Sequence, residues 1–148
     1  QLLTRLAAKF SNLTALDNSR DMLERSRQAI SDIGAGGVRF ILGDTAVASK
    51  EQVRSDLIVF DMVLHHISSP GRTFRDCAEL LRENGCLLLV ELSPHDQDWV
   101  RDTCGDLWLG FEENDLNHWA QKAGLQIGQS SFLSLRNGFQ IQIRVFQK

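Results

Sequence analysis

The sequence predicts an α/β fold: a doubly wound sheet, mostly parallel, with an antiparallel hairpin at its C-terminal edge. Three observations predict it. Helical and strand-like patterns alternate along the chain. The segments Asp56-Leu-Ile-Val-Phe60 and Cys86-Leu-Leu-Leu-Val-Glu-Leu92 are near-continuous apolar runs, as in strands covered on both faces. The last segment does alternate: Phe139, Ile141, Ile143 and Val145 against Gln140, Gln142 and Arg144, behind the hairpin-type turn Arg136-Asn137-Gly138.

The elements follow in order. Gln1 to Phe10 reads as a helix already under way, because Leu2, Leu3, Leu6 and Phe10 share a face and no Ser, Thr, Asp or Asn caps the start. The strand-like run Leu13-Thr-Ala-Leu16 ends at Asp17. Ser19 is the N-cap of a helix from about Arg20 to Ile33, with Met22, Ser26, Ala29, Ile30 and Ile33 on one face and Gly34-Ala-Gly-Gly37 as its stop. Val38–Leu42 is the next strand, broken by Gly43-Asp44, and a loop or irregular helix leads to about Ser55. After the strand ending at Phe60, Ser69-Pro70 opens a helix carrying Phe74, Cys77, Ala78 and Leu81 at helical spacing, which Asn84-Gly85 ends. A charged helical stretch runs from His95 to about Cys104. The next helix, roughly Glu113 to Ala123, carries Leu116, Trp119, Ala120 and Ala123 on one face and stops at Gly124. Strands at about Leu125–Leu135 and Phe139–Phe146 close the chain.

The 148 residues, 43% hydrophobic and 24% charged, suit one domain over 1–148 that buries roughly two-thirds of its unfolded surface. No apolar run approaches the roughly 18 residues of a membrane span. Sixteen Lys+Arg against 19 Asp+Glu leave no basic excess for phosphate neutralisation, so this segment is not expected to bind nucleic acid directly. Three cysteines, Cys77, Cys86 and Cys104, are an odd number without a Cys-x-x-Cys pair, which reads as reduced and cytoplasmic; they serve as small hydrophobes.

Ligands of open α/β sheets bind beyond the carboxyl ends of the strands. Those ends are Asp17, Gly43-Asp44, Asp61-Met62-Val63-Leu64-His65-His66 and Ser93-Pro94-His95-Asp96. An acid ending the strand after the first helix accepts ribose hydroxyls in dinucleotide-binding sheets, about 20 residues past a glycine-rich turn. Counting back from Asp17 puts that turn before Gln1, so the chain reads as N-terminally truncated, lacking the first strand and its glycine-rich loop. The plain alternatives are a helix-dipole or capping role for Asp17 and turn chemistry for Asp44. His65-His66 lacks a third ligand at helical or hairpin spacing, which disfavours metal; one of the pair is a candidate general base. Trp119 belongs to a core stripe, whereas Trp108, in the loop Gly105–Phe111, is placed to wall a pocket.

These segments resemble the class I S-adenosylmethionine-dependent methyltransferases, a Rossmann-like family. Leu16-Asp-Asn-Ser-Arg-Asp-Met-Leu23 is similar to the segment after the family's glycine-rich motif, Gly43-Asp44-Thr45 to its Gly-Asp-Ala segment, Asp56–His66 to its fourth-strand motif, and Leu80–Val90 to its Leu-x-Pro-Gly-Gly-x-Leu motif. The resemblance implies S-adenosylmethionine or S-adenosylhomocysteine as cofactor. Asp17 would hold the ribose; Asn18, Ser19 and Met22 would line the adenosine; Asp44 and Thr45 would meet the adenine; and Met62 and Val63 would also bind the cofactor. His66, His95 and Trp108 are the candidate substrate-pocket residues, and no catalytic residue carries over. The Asn-Pro-Pro-Tyr signature of amino-directed nucleic-acid and protein methyltransferases is absent. More narrowly, Ser93-Pro-His-Asp-Gln-Asp-Trp99, Trp108-Leu-Gly-Phe111 and Trp119–Gly124 resemble methyltransferase-like domains fused behind an ArsR-type winged-helix domain, which would bind DNA from upstream. Three functions follow as expectations: a small-molecule methyltransferase, with His66 or His95 as base; a cofactor-sensing effector domain without turnover; or a homodimerisation scaffold.

Overall fold

The computed structural model describes residues 2–148, so the predicted helical start at Gln1 lies outside them. The chain forms two compact units, Gln1–Val53 and Arg54–Lys148.

The first unit contains α1 (Leu2–Ala7), β1 (Leu13–Asp17), α2 (Arg20–Asp32), β2 (Val38–Leu42) and α3 (Thr45–Lys50). β1 and β2 pair in parallel from Leu13↔Val38 to Asp17↔Leu42. α1 is shorter than its apolar spacing predicts: the Lys9 and Phe10 N–H groups both turn back onto the Leu6 carbonyl, and Phe10 is exposed. α2 is capped as expected, Ser19 Oγ accepting from Met22 N at 3.3 Å. It ends in a Schellman pair, Gly34 N to Ser31 O and Ala35 N to Ile30 O, with Gly34 at φ +64°. Its buried stripe is Leu23 and Ile30, two turns apart, whereas the predicted Met22 and Ile33 flank that stripe and are half exposed. The stretch after Gly43 is a regular helix rather than a loop, because Asp44 Oδ1 caps it by accepting from Val47 N at 3.1 Å.

The second unit contains β3 (Ser55–Asp61), a 3-10 turn (Leu64–His66), α4 (Pro70–Leu80), β4 (Leu81–Leu92), α5 (Trp99–Cys104), α6 (Glu113–Lys122), β5 (Gln126–Ser134) and β6 (Gln140–Gln147). The sheet order is β3-β4-β6-β5; β3 and β4 are parallel, and the C-terminal hairpin adds β6 and β5 antiparallel, as expected. β3 is an edge of this sheet and only half-buried despite its apolar sequence, with Leu57 exposed.

Two boundaries differ from expectation. α4 stops at Leu80, not at Asn84-Gly85: Leu81 already pairs with Ser55, and Arg82–Gly85 loop out before Cys86 pairs with Leu57. That loop needs Asn84 at φ +64° and no side chain at Gly85, where a Cβ would stand 2.9 Å from the Arg82 carbonyl oxygen. α5 starts at Trp99 rather than His95, because the backbone before it is committed elsewhere: His95 N donates to Leu109 O and Gln97 N to His95 Nδ1.

The core of this unit gathers Phe74 and Cys77 of α4, Leu87 and Leu89 of β4, Leu116 and Ala120 of α6, and Phe146 of β6. Phe74 and Phe146 meet edge to face at 5.4 Å. On β6 the polar phase is the fully buried one: Gln142 and Arg144 face inward with Phe146, and the isoleucines are intermediate. Their polar atoms are satisfied. Gln142 Nε2 donates to Leu92 O and Phe111 O, and Arg144 reaches Glu113 and Asn117 of α6. β5 is the opposite case, with eight of nine residues exposed, Phe132 and Leu133 among them. No helix among the described residues is long and apolar enough to cross a membrane.

Candidate functional site

In the first unit, the residues picked for the nucleoside lie at two adjoining strand ends. Asp17 ends β1 half-buried; its Oδ1 accepts from Ser19 N at 2.8 Å and its carbonyl from Gly43 N at 3.0 Å. Asp44 follows β2 and is exposed. Gly43 is required between them: at φ +150° a Cβ there would stand 2.6 Å from Val47 Cγ2. Each acid spends one oxygen on local turn or cap chemistry, leaving the other without a protein partner among the described residues. Asn18 and Met22 are exposed around the α2 N-terminus, Ser19 is half-buried, and Thr45, the first residue of α3, is buried. Such acceptors suit a diol and an exocyclic amine, so the donor set fits a nucleoside.

In the second unit, Met62 and Val63 follow β3. Met62 holds φ +55°, uncommon for a side-chain-bearing residue, and its N–H donates to Val90 O at 2.9 Å, so this turn is pinned to β4. The next residues carry the most developed chemistry. His65 is 5% exposed, and Glu91, at the end of β4, is 0% exposed. His65 Nδ1 lies 2.6 Å from Glu91 Oε1, and the His65 backbone N–H donates to Glu91 Oε2 at 3.2 Å. Leu92 N also donates to Oε1 at 2.8 Å. A fully buried carboxylate is thus held by three donors.

The loop after α5 folds over this pair. Leu107 and Trp108 N–H both donate to the His65 carbonyl, and Trp108 Nε1 donates to Ile67 O at 2.9 Å. The loop brings in Asp106, 6% exposed, whose Oδ1 is 3.8 Å from His65 Nε2 and 3.7 Å from His66 Nδ1. That oxygen is buried and has no hydrogen-bond partner among the described residues.

Burial by itself lowers the His65 pKa. The hydrogen bond and charge of Glu91 and the charge of Asp106 outweigh it, and the net displacement is upward from 6.5. With a carboxylate on the Nδ1 side, Nδ1 carries the hydrogen and Nε2 is the basic nitrogen. The arrangement can take a proton from a neighbouring group and hold the resulting imidazolium between two carboxylates.

Of the predicted pocket residues, Trp108 is bonded directly to the His65 turn. His66 is partly exposed, with Nδ1 3.4 Å from Gly105 O. His95 packs edge-on against Phe139 and accepts from Gln97 N, with its Nε2 buried and unpartnered among the described residues. Sequence reasoning named neither Glu91 nor Asp106. Glu91 left a signal as the one charge inside the apolar run Cys86–Leu92, whereas Asp106 left none. It also found no third ligand beside the histidine pair; the fold supplies Asp106 from forty residues downstream, and ligating atoms of His65, His66 and Asp106 lie within 4.8 Å of one another.

A family model described as "Methyltransferase domain" matches residues 1–89. The polyketide synthase-nonribosomal peptide synthetase pyiS of Pyricularia grisea is 28% identical over 114 residues, 71% of this chain. The chain spans about 3% of the length of the curated relatives it matches. Among solved structures, the [4+2]-cyclase SpnF superimposes with a TM-score of 0.79 at 15% identity, covering 100% of this chain and 70% of that one. The N-methyltransferase NodS of Bradyrhizobium japonicum, solved with S-adenosyl-L-homocysteine, gives 0.75 at 16% identity over 97% of this chain and 70% of that one. Both share the fold and one is named a cyclase, so the fold alone does not fix the chemistry. With the family model matching 89 of its 148 residues, the chain belongs to the methyltransferase domain family.

Proposed function

We propose that the protein is an S-adenosylmethionine-dependent methyltransferase that acts on a small molecule, with His65 as general base. The observation that carries this reading is the buried His65–Glu91 pair, its free nitrogen at the carboxyl side of β3. S-adenosylmethionine, when bound, supplies a methyl group already activated on sulfur. NodS and coclaurine N-methyltransferase were both solved with S-adenosylhomocysteine, which supports the same ligand here. In the first unit Asp17 would take the ribose hydroxyls and Asp44 the adenine amine, with Asn18, Ser19, Met22 and Thr45 as the neighbouring nucleoside residues. In the second unit Met62 and Val63 would be the cofactor-binding residues.

What the chain adds is proton handling and exclusion of water. His65 Nε2 would take and hold the proton that the acceptor loses; Glu91 fixes the tautomer and, with Asp106, stabilises the cation. Trp108 and its loop roof the His65 turn. The likeness to polyketide synthase-nonribosomal peptide synthetases supports an acceptor drawn from acyl or peptidyl chains, with an acidic C–H or N–H. The alternative, a sensing domain of an ArsR-type regulator, needs no base, and the buried acid–base pair favours turnover over it.

The test pairs binding with rate. Calorimetric titration of S-adenosylhomocysteine should show binding that Asp17→Ala weakens about tenfold or more. His65→Gln and Glu91→Gln should leave that binding within about twofold while lowering labelled methyl transfer about a hundredfold or more. Transfer that survives His65→Gln removes the base assignment. Absence of binding by either cofactor form removes the methyltransferase reading.

A further inference from the structure

Between α4 and α6 lies a surface cleft of about 470 Å³ whose walls carry hydrogen-bond donors and no carboxylate. Arg72 and Arg75 enter it from α4, His118 and Lys122 from α6, Ser69 from the α4 cap position, and the Trp119 indole forms one side. The Trp119 ring packs on Phe74, Trp108 and Phe111, but the polar groups of the cleft are uncommitted among the described residues. Among the described residues neither arginine, nor His118, nor Lys122 has an ion pair or side-chain hydrogen bond. Ser69 makes no side-chain cap bond, and no partner is assigned to Trp119 Nε1. The contrast is Lys148 nearby, whose Nζ is tied to the Ala78 and Leu81 carbonyls at 2.7 and 2.8 Å.

Converging cations without a carboxylate among them repel one another. In a chain of net charge −3, a cleft lining with four basic side chains and no carboxylate is a local feature; Glu79 stands in the neighbouring cleft that Arg75 and Lys122 also border. Gly71 keeps the cleft's aromatic side close to α4: a Cβ there would already stand 3.1 Å from Trp119 Cδ1. Two guanidinium forks, an ammonium, an imidazole and a hydroxyl match the tetrahedral oxygens of a phosphate, and the indole offers a flat surface to an organic group attached to it.

We propose that the α4–α6 cleft binds a phosphate-bearing small molecule, the phosphate held by Arg72, Arg75 and Lys122 and the organic part lying on Trp119. The cleft is connected to the His65 turn by aromatic packing. Trp119 and Trp108 meet edge to face at 6.1 Å, and the Trp108 N–H donates to the His65 carbonyl. An occupant therefore rests one ring away from the loop that covers the proposed base. The inference itself does not depend on methyl transfer, because the site is complete without cofactor or acceptor.

Phenyl phosphate is the probe, titrated calorimetrically and by tryptophan fluorescence at constant ionic strength, with phenol as the uncharged control. Saturable binding is expected, absent for phenol and weakened about tenfold or more by Arg72→Ala or Arg75→Ala. Both arginines are exposed, so these variants keep the fold. Trp119→Phe should remove the fluorescence response while calorimetric binding persists. Lack of saturable binding, or equal affinity in the arginine variants, overturns the proposal. Stronger binding of an oligoglutamate peptide than of phenyl phosphate also overturns it, and makes the cleft a docking face for an acidic protein segment.

Discussion

His65 sits between two carboxylates with different roles: Glu91 is hydrogen-bonded to it, whereas Asp106 offers a buried oxygen at 3.8 Å that has no hydrogen-bond partner among the described residues. The pH behaviour follows. The base must be neutral to act, and its pKa is raised above 6.5, so the methyl-transfer rate should climb with pH through a midpoint above 6.5. Glu91→Gln removes the two largest upward causes and should move that midpoint down. Stability runs the other way. The protonated ring's extra stabilisation is complete below its unfolded value of 6.5 and is lost as pH rises through the folded value. Denaturation midpoints measured across that interval should fall with rising pH in the natural protein and change less in Glu91→Gln. Methyl transfer should persist in a chelator; loss restored by a divalent transition metal would instead assign His65, His66 and Asp106 to coordination. Cys77 is the inert counterpart: burial, then the charge of Asp76, push its thiol up to about 12, so it should resist alkylation in the folded state while exposed Cys104 reacts. At this scale the sequence was readable where a residue's role is local. The Ser19 cap and the Asp44 turn needed only neighbours within three positions. The Glu91 and Asp106 roles needed contacts across 26 and about 40 residues, which no short-range spacing encodes.

Elements were read well where one period settles them and badly where two demands compete. α6 and its Gly124 stop are as predicted, because its apolar stripe and its terminator agree. α4 carries a helical stripe through Leu81, but strand pairing claims Leu81 first. β6 shows how a pattern and its use can part: its alternation was plain, yet the polar phase faces inward because α6 and the Phe111 backbone supply partners for Arg144 and Gln142. The tightest connection is Gly110 in the loop over the site. At φ +77° its missing side chain lets the loop lie against Ser93, where a Cβ would collide with the carbonyl oxygen, while Phe111 N donates to Leu92 O beside it. Gly110→Ala should therefore cost about 3 kcal/mol in denaturant unfolding and lower transfer by loosening the cover over His65.

As a whole, the chain keeps the predicted α/β alternation and terminal antiparallel hairpin, but in place of one mostly parallel sheet its strands form a parallel pair in the first unit and a mixed four-stranded sheet in the second, with unequal cores. Among the described residues, the first unit's buried hydrophobics are Leu23, Ile30, Ile41 and Ala48, whereas the second unit has a contiguous cluster from Leu64 to Phe146. Amide hydrogen exchange should therefore be faster across β1 and β2 than across β4 and β6. The alternation of elements was legible because it needs only periodicity; this inequality was not, because it depends on which faces find partners. A practical property comes from β5. Between Gln126 and Leu135 there is no charge and no proline, the strand borders its sheet, and Ile127, Phe132 and Leu133 are outward. That is the composition of an adhesive border with no gatekeeper, so shelf life in concentrated solution is governed by this strand, and a lysine in place of Phe132 should slow precipitation without touching the chemistry at His65.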